Sequence, residues 1–340
     1  MAWLDSRRKI LIAAGLAVSM LLGASVIGML PVGSADSPTR LFTVESGSSV
    51  RSVAQSLQSQ RLIRSAWSFR LLAKLTGSES RIKAGFYALT PAMSTREILR
   101  WMVQGKAEQR QLTFPEGYSV RQMAKVIEEQ GIGSADRFLE LAADPSRFAE
   151  RFTWLSTLPA EATLEGFLFP DTYEYGGKQI PEEALIALML SRFEQVGLKA
   201  WKSASNPSMD LFRTVTLASI VELEAQAPSE RPLIAGVFHN RLELRMPLGS
   251  DPTVEYALGW KQGSRGLSFK DVKVNSPYNT YRNAGLPPGP IANPGLASLR
   301  ATMSPQETSM LYFVARGDGT HVFTKSYADH LAAQRRIRRR

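Results

Sequence analysis

The sequence has no cysteine and only three histidines, His239, His321 and His330. The absence of cysteine excludes disulfide bonds, thiolate metal ligands, iron–sulfur clusters and a cysteine nucleophile. So few histidines argue against a multi-histidine metal centre, and we expect neither a metal nor another cofactor. Hydrophobic residues make up 44% of the 340 residues, which argues against a largely disordered chain. The classes that remain are lytic or hydrolytic enzymes using carboxylates or hydroxyls, and binding proteins.

Acidic residues are fewer than basic ones, with 31 Asp and Glu against 41 Lys and Arg, which gives a net charge of +10. Half of the excess lies in a basic tail at residues 331–340, carried by Arg335, Arg336, Arg338, Arg339 and Arg340. Without this tail the chain shows no basic stripe, so we expect no nucleic-acid partner. A solvated, flexible terminus is one interpretation of the tail. Attraction to an anionic membrane or envelope polymer is the other.

A long uncharged run begins near the N-terminus. Residues 10–30 contain no charged residue and directly follow Arg7, Arg8 and Lys9. At 1.5 Å per residue, such a helix spans roughly 30 Å, the thickness of a bilayer core. We predict a single transmembrane helix at 10–30, with residues 1–9 in the cytoplasm, a linker at 31–40 and the remainder exported. A cleaved signal peptide is the alternative, although its apolar region is normally only about 7–15 residues long.

The exported part opens with an internal repeat. The run GSSVRSVA at 47–54 recurs as GYSVRQMA at 117–124, and each copy follows a short β-prone run. Ser49 and Ser119 are candidate N-caps, and the apolar spacing after each predicts a helix. The pattern resembles a LysM-like module, a small fold associated with N-acetylglucosamine polymers. We therefore predict a LysM-like βαβ-type module at 41–108 and a second LysM-like unit at about 113–133. Units that serve only as structural spacers are the alternative.

A candidate catalytic carboxylate lies further along the chain. Residues 214–225 predict a helix on which small and polar side chains form one stripe, including Ser219 and Glu222. A partly desolvated glutamate on such a stripe can donate a proton at neutral pH. An ordinary solvated helical glutamate is the alternative. Ser219 is not expected to act as a nucleophile, because no base lies near it in sequence.

The segments after this helix are typical of a saccharide groove. Residues 285–295 are mostly Gly and Pro and predict a stiff, shaped loop. Aromatic and amide side chains precede it at 276–281, where rings can stack on sugar faces and amides can bind hydroxyls. His321 follows a predicted hairpin turn and either borders this groove or is half-buried on a strand. His239 is expected to be packed rather than catalytic.

Several motifs together resemble the YceG-like family of endolytic murein transglycosylases. They are TLASIVE at 216–222, SER at 229–231, VFHNRL at 237–242, SDPTV at 250–254, SPYNTY at 276–281, GLPPGPI at 285–291 and LYFV at 311–314. Their order and spacing match over roughly residues 40–330. Leu223 and residues 225–228 depart from the more polar residues of the family, which affects substrate detail more than reaction type. The implied fold is α+β, with a mixed α+β catalytic domain at 109–330 after the transmembrane helix and the LysM-like module.

The resemblance implies a bacterial lyase of the cytoplasmic membrane whose catalytic domain acts outside the cytoplasm. It would cleave N-acetylmuramic acid–N-acetylglucosamine bonds in nascent glycan strands and leave 1,6-anhydro-muramyl ends, ending strand elongation. Its partners would be glycan strands, the membrane and peptidoglycan synthases. Glu222 takes the position of the catalytic glutamate, and the carried-over groove residues are Glu230, Asn240, Arg241, Asp251, Tyr278, Asn279 and Tyr281. For Arg241, binding of a substrate carboxylate and an ion pair with Glu230 remain alternatives.

Two other functions stay open at this point. A muramidase-type hydrolase would need a second carboxylate to activate water, and Glu224, Glu230 and Asp251 are the candidates. A lytic enzyme needs only one, because the C6 hydroxyl of the sugar attacks C1 intramolecularly. A non-catalytic peptidoglycan-binding scaffold is the third possibility. Such a binder would be indifferent to replacement of Glu222 by Gln.

Overall fold

A computed structural model describes residues 27–34, 37, 40–44, 47–104, 109–176, 179–204, 209–259 and 266–339. The chain divides into two compact units. The first comprises residues 1–112 and 173–184, and the second comprises residues 113–172 and 185–340. Helices and short strands occur in both, so the architecture is mixed α+β, as predicted.

In the first unit two helices lie between a pair of strands. Strand β1 (Arg40–Val44) pairs antiparallel with β2 (Gly85–Leu89), and α1 (Val50–Ser59) and α2 (Ala66–Leu75) connect them. Helix α3 (Thr95–Gln104) follows β2. The core of the unit consists of buried apolar side chains, among them Phe42, Leu57, Phe69, Leu89 and Ile98. Removal of these side chains from water is its main stabilising contribution.

The same order of elements begins again with the second copy of the repeat. Strand β3 (Gln109–Thr113) pairs with β4 (Thr172–Gly176), and α4 (Val120–Glu129) and α5 (Ala135–Ala142) lie between them in the chain. The predicted strand and first helix are therefore present in each copy. In each copy a second helix follows the first, α2 in the first copy and α5 in the second, whereas the sequence pattern predicts one helix per copy.

The backbone repeats as closely as the sequence does. The side chain of Ser49 accepts a hydrogen bond from the backbone of Ser52, and Ser119 forms a capping box with Gln122. The turn before each cap has a glycine, at 47 and 117, with φ of +82° in both copies. A side chain is strained at that φ, which explains why glycine stands in both copies.

The predicted transmembrane segment at 10–30 lies mostly outside the described residues. The cytoplasmic segment at 1–9 lies wholly outside them. Within the ranges that the structure describes, no helix has both the length and the apolar character needed to cross a membrane.

The second unit is largely helical. After α4 and α5 it contains α6 (Glu182–Phe193), a π-helical turn (Glu194–Leu198), α7 (Lys199–Lys202), α8 (Leu211–Glu224), α9 (Arg231–Glu243), α10 (Asp251–Ala257), α11 (Leu296–Met303) and α12 (Tyr327–Arg338). An antiparallel hairpin of β5 (Tyr312–Ala315) and β6 (His321–Thr324) precedes α12. Most of the predicted basic tail is therefore the end of a helix.

Helix α8 lies at the centre of the second unit and packs against α9, α10 and α11. Its apolar side chains Leu217, Ile220 and Val221 are fully buried with Ile234 and Phe238 of α9. Because α8 is surrounded on several sides, it holds the polar groups near its C-terminal end in fixed positions. The site is built around that end.

Candidate active site

Helix α8 begins after a capping residue and carries the candidate catalytic group in its last turn. The Asp210 side chain accepts a hydrogen bond of 2.8 Å from the backbone N–H of Arg213, which satisfies one donor of the first turn. Glu222 lies two residues before the end of the helix, and its side chain is only 5% exposed. A carboxylate this deeply buried needs charged or hydrogen-bonding partners.

Glu222 has two such partners. Its Oε1 accepts a hydrogen bond of 3.0 Å from Nη2 of Arg231, whose side chain is 14% exposed. Its Oε2 accepts a hydrogen bond of 3.0 Å from the backbone N–H of Gly295. Arg231 is itself fixed, because its Nε donates to Oγ of Ser298 at 3.0 Å. The guanidinium therefore holds the Glu222 carboxyl group in a defined orientation.

The polar stripe on α8 receives the Gly/Pro-rich loop. The Ser219 hydroxyl, fully buried, accepts a hydrogen bond of 3.0 Å from the backbone N–H of Ile291 and donates to the carbonyl of Thr216 at 2.8 Å. Together with the Gly295 contact, this places the loop directly on the helix. Small side chains on this stripe thus allow a close approach by the protein's own loop, and Ser219 has a structural role.

A second carboxylate lies beside Glu222 and was not predicted from the sequence. This carboxylate belongs to Glu116 and lies against Gly295, since a side chain on Gly295 would collide with it. Burial and the neighbouring charge of Glu222 raise the pKa of Glu116, whereas Arg231 lowers it. The only local signal for Glu116 is its position directly before the second repeated turn.

Next to this cluster the second unit has a large cavity of about 1150 Å³. Leu223 and Glu224, the residues that follow Glu222, line it. Glu224 accepts a hydrogen bond of 2.6 Å from Oγ of Ser250. Burial, supplemented by the charges of Asp251 and Glu255, raises the pKa of Glu224 to about 7.

Three of the predicted groove residues also line this cavity, namely Arg241, Asp251 and Tyr281. The Tyr281 hydroxyl donates to Oδ1 of Asp251 at 2.5 Å. The guanidinium of Arg241 donates to the carbonyls of Leu311 and Leu248 at 2.6 and 2.5 Å, and lies 5.2 Å from the centre of the Tyr312 ring. The structure brings these three side chains together with Glu224 at one surface.

The other predicted groove residues are not among those lining the cavity, and several are held by internal hydrogen bonds. The amide of Asn240 donates to the carbonyls of Thr308 and Met310. Asn279 is fully buried, and its amide donates to the carbonyls of Val272 and Val274 at 2.9 Å. These contacts shape the loops around the site. A role for either residue in binding substrate stays a prediction.

Tyr278 stacks obliquely against Tyr256, with ring centres 4.9 Å apart. Its hydroxyl lies close to Gly289 of the Gly/Pro-rich loop. Tyr278 therefore supports that loop.

Glu230 pairs with His321 and not with Arg241. Its carboxylate accepts hydrogen bonds from the backbone N–H of His321 at 3.1 Å and pairs with Nδ1 of the same residue at 2.7 Å. His321 lines the cavity, and its side chain is 4% exposed. The carboxylate fixes the orientation of this imidazole at the cavity wall. His239, in contrast, bonds the carbonyl of Thr302 and is packed within the unit.

A buried polar network supports the loop from below. Glu165, 5% exposed, accepts hydrogen bonds from the backbone N–H of Val120 at 3.0 and 3.2 Å and from the amide of Asn293 at 3.1 Å. Burial raises the pKa of Glu165 to about 8. Asn293 also accepts from the backbone N–H of Leu168 at 2.9 Å. Nothing in the local sequence marks these two residues, because their partners are more than forty positions away.

This arrangement can support acid and base chemistry. Glu222 and Glu224 are two positions apart on one helix, so their side chains point in different directions. Glu222 is paired with the guanidinium of Arg231. Glu224 lies in the cavity wall, where burial favours its neutral form. Carboxyl groups with such different surroundings are typical of enzymes that move protons at neutral pH.

Comparison with known proteins agrees with this chemistry. The model of the YceG-like family matches residues 42–336. An endolytic murein transglycosylase of Bacillus subtilis is 34% identical over 314 residues, covering 89% of this chain and 86% of that protein. A protein of the same name from Streptococcus pneumoniae is 31% identical over 327 residues, covering 89% of this chain and 59% of the pneumococcal protein. A crystal structure of a yceG-like protein from Listeria monocytogenes is 32% identical with a TM-score of 0.60, covering 86% of this chain and 98% of that one.

Proposed function

This chain belongs to the YceG-like family, and on that premise we propose that it is a membrane-anchored endolytic peptidoglycan transglycosylase. It cleaves bonds between N-acetylmuramic acid and N-acetylglucosamine inside nascent glycan strands, leaves 1,6-anhydro-muramyl ends and thereby ends strand elongation. The names of the Bacillus and pneumococcal relatives support the reaction. The observation that carries the proposal is the buried Glu222 carboxyl group, which Arg231 and the Gly295 N–H hold in place. Glu222 does not itself line the large cavity, but the next two residues of the chain, Leu223 and Glu224, do.

Glu222 serves as both acid and base in this proposal. Its carboxyl group donates a proton to the glycosidic oxygen while the bond to C1 breaks and positive charge develops on the sugar ring. The C6 hydroxyl of the same sugar then attacks C1 and returns a proton to Glu222. Arg231 and the Gly295 N–H stabilise the carboxylate between the two transfers. No water enters the reaction, so no second carboxylate is needed to activate one.

In this proposal the site acts at the membrane. The predicted helix at 10–30 anchors the protein with residues 1–9 in the cytoplasm, so that the second unit acts outside it. The strand–helix–helix–strand order of β1, α1, α2 and β2 supports a LysM-like module that holds the glycan strand. The partners in this proposal are glycan strands, the cytoplasmic membrane and the peptidoglycan synthases that make the strands.

Glu224 favours a second candidate, a muramidase-type hydrolase on the same scaffold. It is a further carboxyl group in the cavity wall, and its pKa of about 7 lets it exchange a proton at neutral pH. A hydrolase uses such a second carboxyl group to activate water and produces a reducing end.

Replacement of Glu222 by Gln tests the proposal. We expect the full chain in detergent to shorten uncrosslinked glycan strands and the Glu222→Gln variant to bind the strands without shortening them. Glu243→Gln is the matched control, because Glu243 is an exposed carboxylate on α9 and should leave cleavage unchanged. Strand cleavage that survives Glu222→Gln would contradict the assigned role, and a wild-type chain that only binds strands would favour the scaffold alternative.

A further inference from the structure

The C-terminal helix contributes one wall of the cavity. Tyr327, His330, Gln334 and Arg338 of α12 all line it. Their spacing of three or four residues places them on one face of the helix. The exposed Arg335 and Arg336 belong to the same basic run, but neither is among the residues lining the cavity. Of the arginines in the basic tail, Arg338 therefore lines the cavity, whereas Arg335 and Arg336 do not.

This face is held in place by aromatic contacts with β5. The ring of Tyr312 lies 5.8 Å from that of Tyr327 and 5.5 Å from that of His330, measured between centres. The amide of Gln334 lies 3.0 Å from Nε2 of His330. A helix face fixed in this way loses little conformational freedom when a ligand binds.

The cavity is lined by charges of both signs, and Lys273 and Arg338 are exposed cations among its lining residues. Carboxyl groups of Glu224, Asp251 and Glu255 line the side formed by α8 and α10. Arg338 lines the side formed by α12, and within the described ranges no carboxylate lies in ion-pair distance of it. Arg241 is already engaged, since its guanidinium donates to two backbone carbonyls. Arg338 is thus the arginine that α12 contributes to the cavity, and no ion pair involves it in the described part of the chain.

We propose that this face of α12 is a subsite for the C-terminal carboxylate of the peptide stem carried by the muramyl residue, with Arg338 as its anchor. The inference rests on the proposed function, because only a peptidoglycan strand presents such a stem. A guanidinium suits this ligand, since it can form two parallel hydrogen bonds to one carboxylate. The cavity of about 1150 Å³ is also larger than a typical small-molecule pocket of about 300–1000 Å³ and has room for more than a sugar.

The test measures equilibrium binding of a muramyl-pentapeptide to the full chain in detergent. We expect Arg338→Gln to weaken binding about threefold to fivefold, as for a charge-assisted pair at an exposed position. Arg336→Gln is the matched control and should change binding less than about twofold. A pentapeptide whose C-terminal carboxylate is amidated should bind the wild-type chain as weakly as the unmodified ligand binds Arg338→Gln.

Equal affinity of the Arg338→Gln and Arg336→Gln variants for the muramyl-pentapeptide would overturn the proposal. A second result would also overturn it. If both variants bound anionic vesicles more weakly but bound the muramyl-pentapeptide as the wild type does, the tail would serve the membrane. Cleavage of glycan strands by the wild-type chain is scored separately. A chain that cleaves strands but shows no dependence on Arg338 refutes only the subsite, whereas a chain that binds muramyl-pentapeptide without cleaving strands refutes the proposed reaction.

Discussion

The raised pKa of Glu224 predicts that this residue reduces the stability of the protein at neutral pH. Burial shifts the pKa from its ordinary value near 4.5 to about 7. Below about pH 4.5 both the folded and the unfolded chain hold the proton, and the residue contributes no pH dependence. Between about pH 4.5 and 7 the unfolded chain releases the proton while the folded chain retains it, so the free energy of unfolding falls. Above about pH 7 the loss is complete.

The size of the loss follows from the shift. A pKa difference of one corresponds to about 1.4 kcal/mol, so a rise from 4.5 to about 7 corresponds to about 3 kcal/mol. Glu224→Gln removes the ionisable group but keeps an oxygen that can accept from Ser250. We therefore expect the variant to be more stable than the wild type by about 3 kcal/mol at about pH 8, and to differ little at about pH 4.

Urea unfolding of both proteins at several pH values measures this difference. Glu243→Gln serves as the control, because Glu243 is exposed on α9 and its replacement should give a small difference at every pH. If Glu224→Gln were less stable than the wild type at about pH 8, or if the difference did not change with pH, the assigned environment of Glu224 would be refuted.

Three further variants test other parts of the structure by the same unfolding measurement. Arg231→Ala should lower the free energy of unfolding by about 3 kcal/mol, because it leaves the Glu222 carboxylate buried without its cation. The double variant Arg231→Ala, Glu222→Gln should lose less than the sum of the two single losses, and a loss equal to that sum would argue against the pair. Asn293→Ala should cost about 2–4 kcal/mol through the unpaired groups it leaves around Glu165, and a loss below about 1 kcal/mol would show that the network relaxes. Ser119→Ala should cost about 1 kcal/mol by removing the cap of α4, whereas no change would mean that the cap is replaced by water.

The local features of the chain could be predicted from its sequence. The repeat at 47–54 and 117–124 has the same cap, the same glycine φ and the same helix in both copies, because turns and caps depend on neighbouring residues. The helix that carries Glu222 is also present where its apolar spacing predicts it.

The partners of the site residues could not be predicted in this way. Gly295 is more than seventy positions from Glu222 in sequence, and its N–H reaches the carboxylate only because the Gly/Pro-rich loop folds back on α8. Glu230 has His321 as its partner instead of Arg241 for the same reason, since the β5–β6 hairpin brings His321 to it. Such pairings depend on tertiary packing, which a single sequence does not encode in any local pattern.

The basic tail illustrates an intermediate case. Its composition alone suggests a solvated terminus. The spacing of Tyr327, His330, Gln334 and Arg338 at three or four residues is nevertheless a helical pattern that the sequence displays. Only the structure shows that this face lines the cavity.

The fate of water during cleavage tests the proposed reaction most directly. Glycan strands are incubated with the full chain in water labelled with heavy oxygen, and the new ends are analysed by mass spectrometry. A lytic reaction predicts ends that carry no label and are lighter than a reducing sugar by one water, because the C6 hydroxyl is the nucleophile. Labelled reducing ends would contradict the account, and would show that Glu222 acts with a second carboxyl group to hydrolyse the bond.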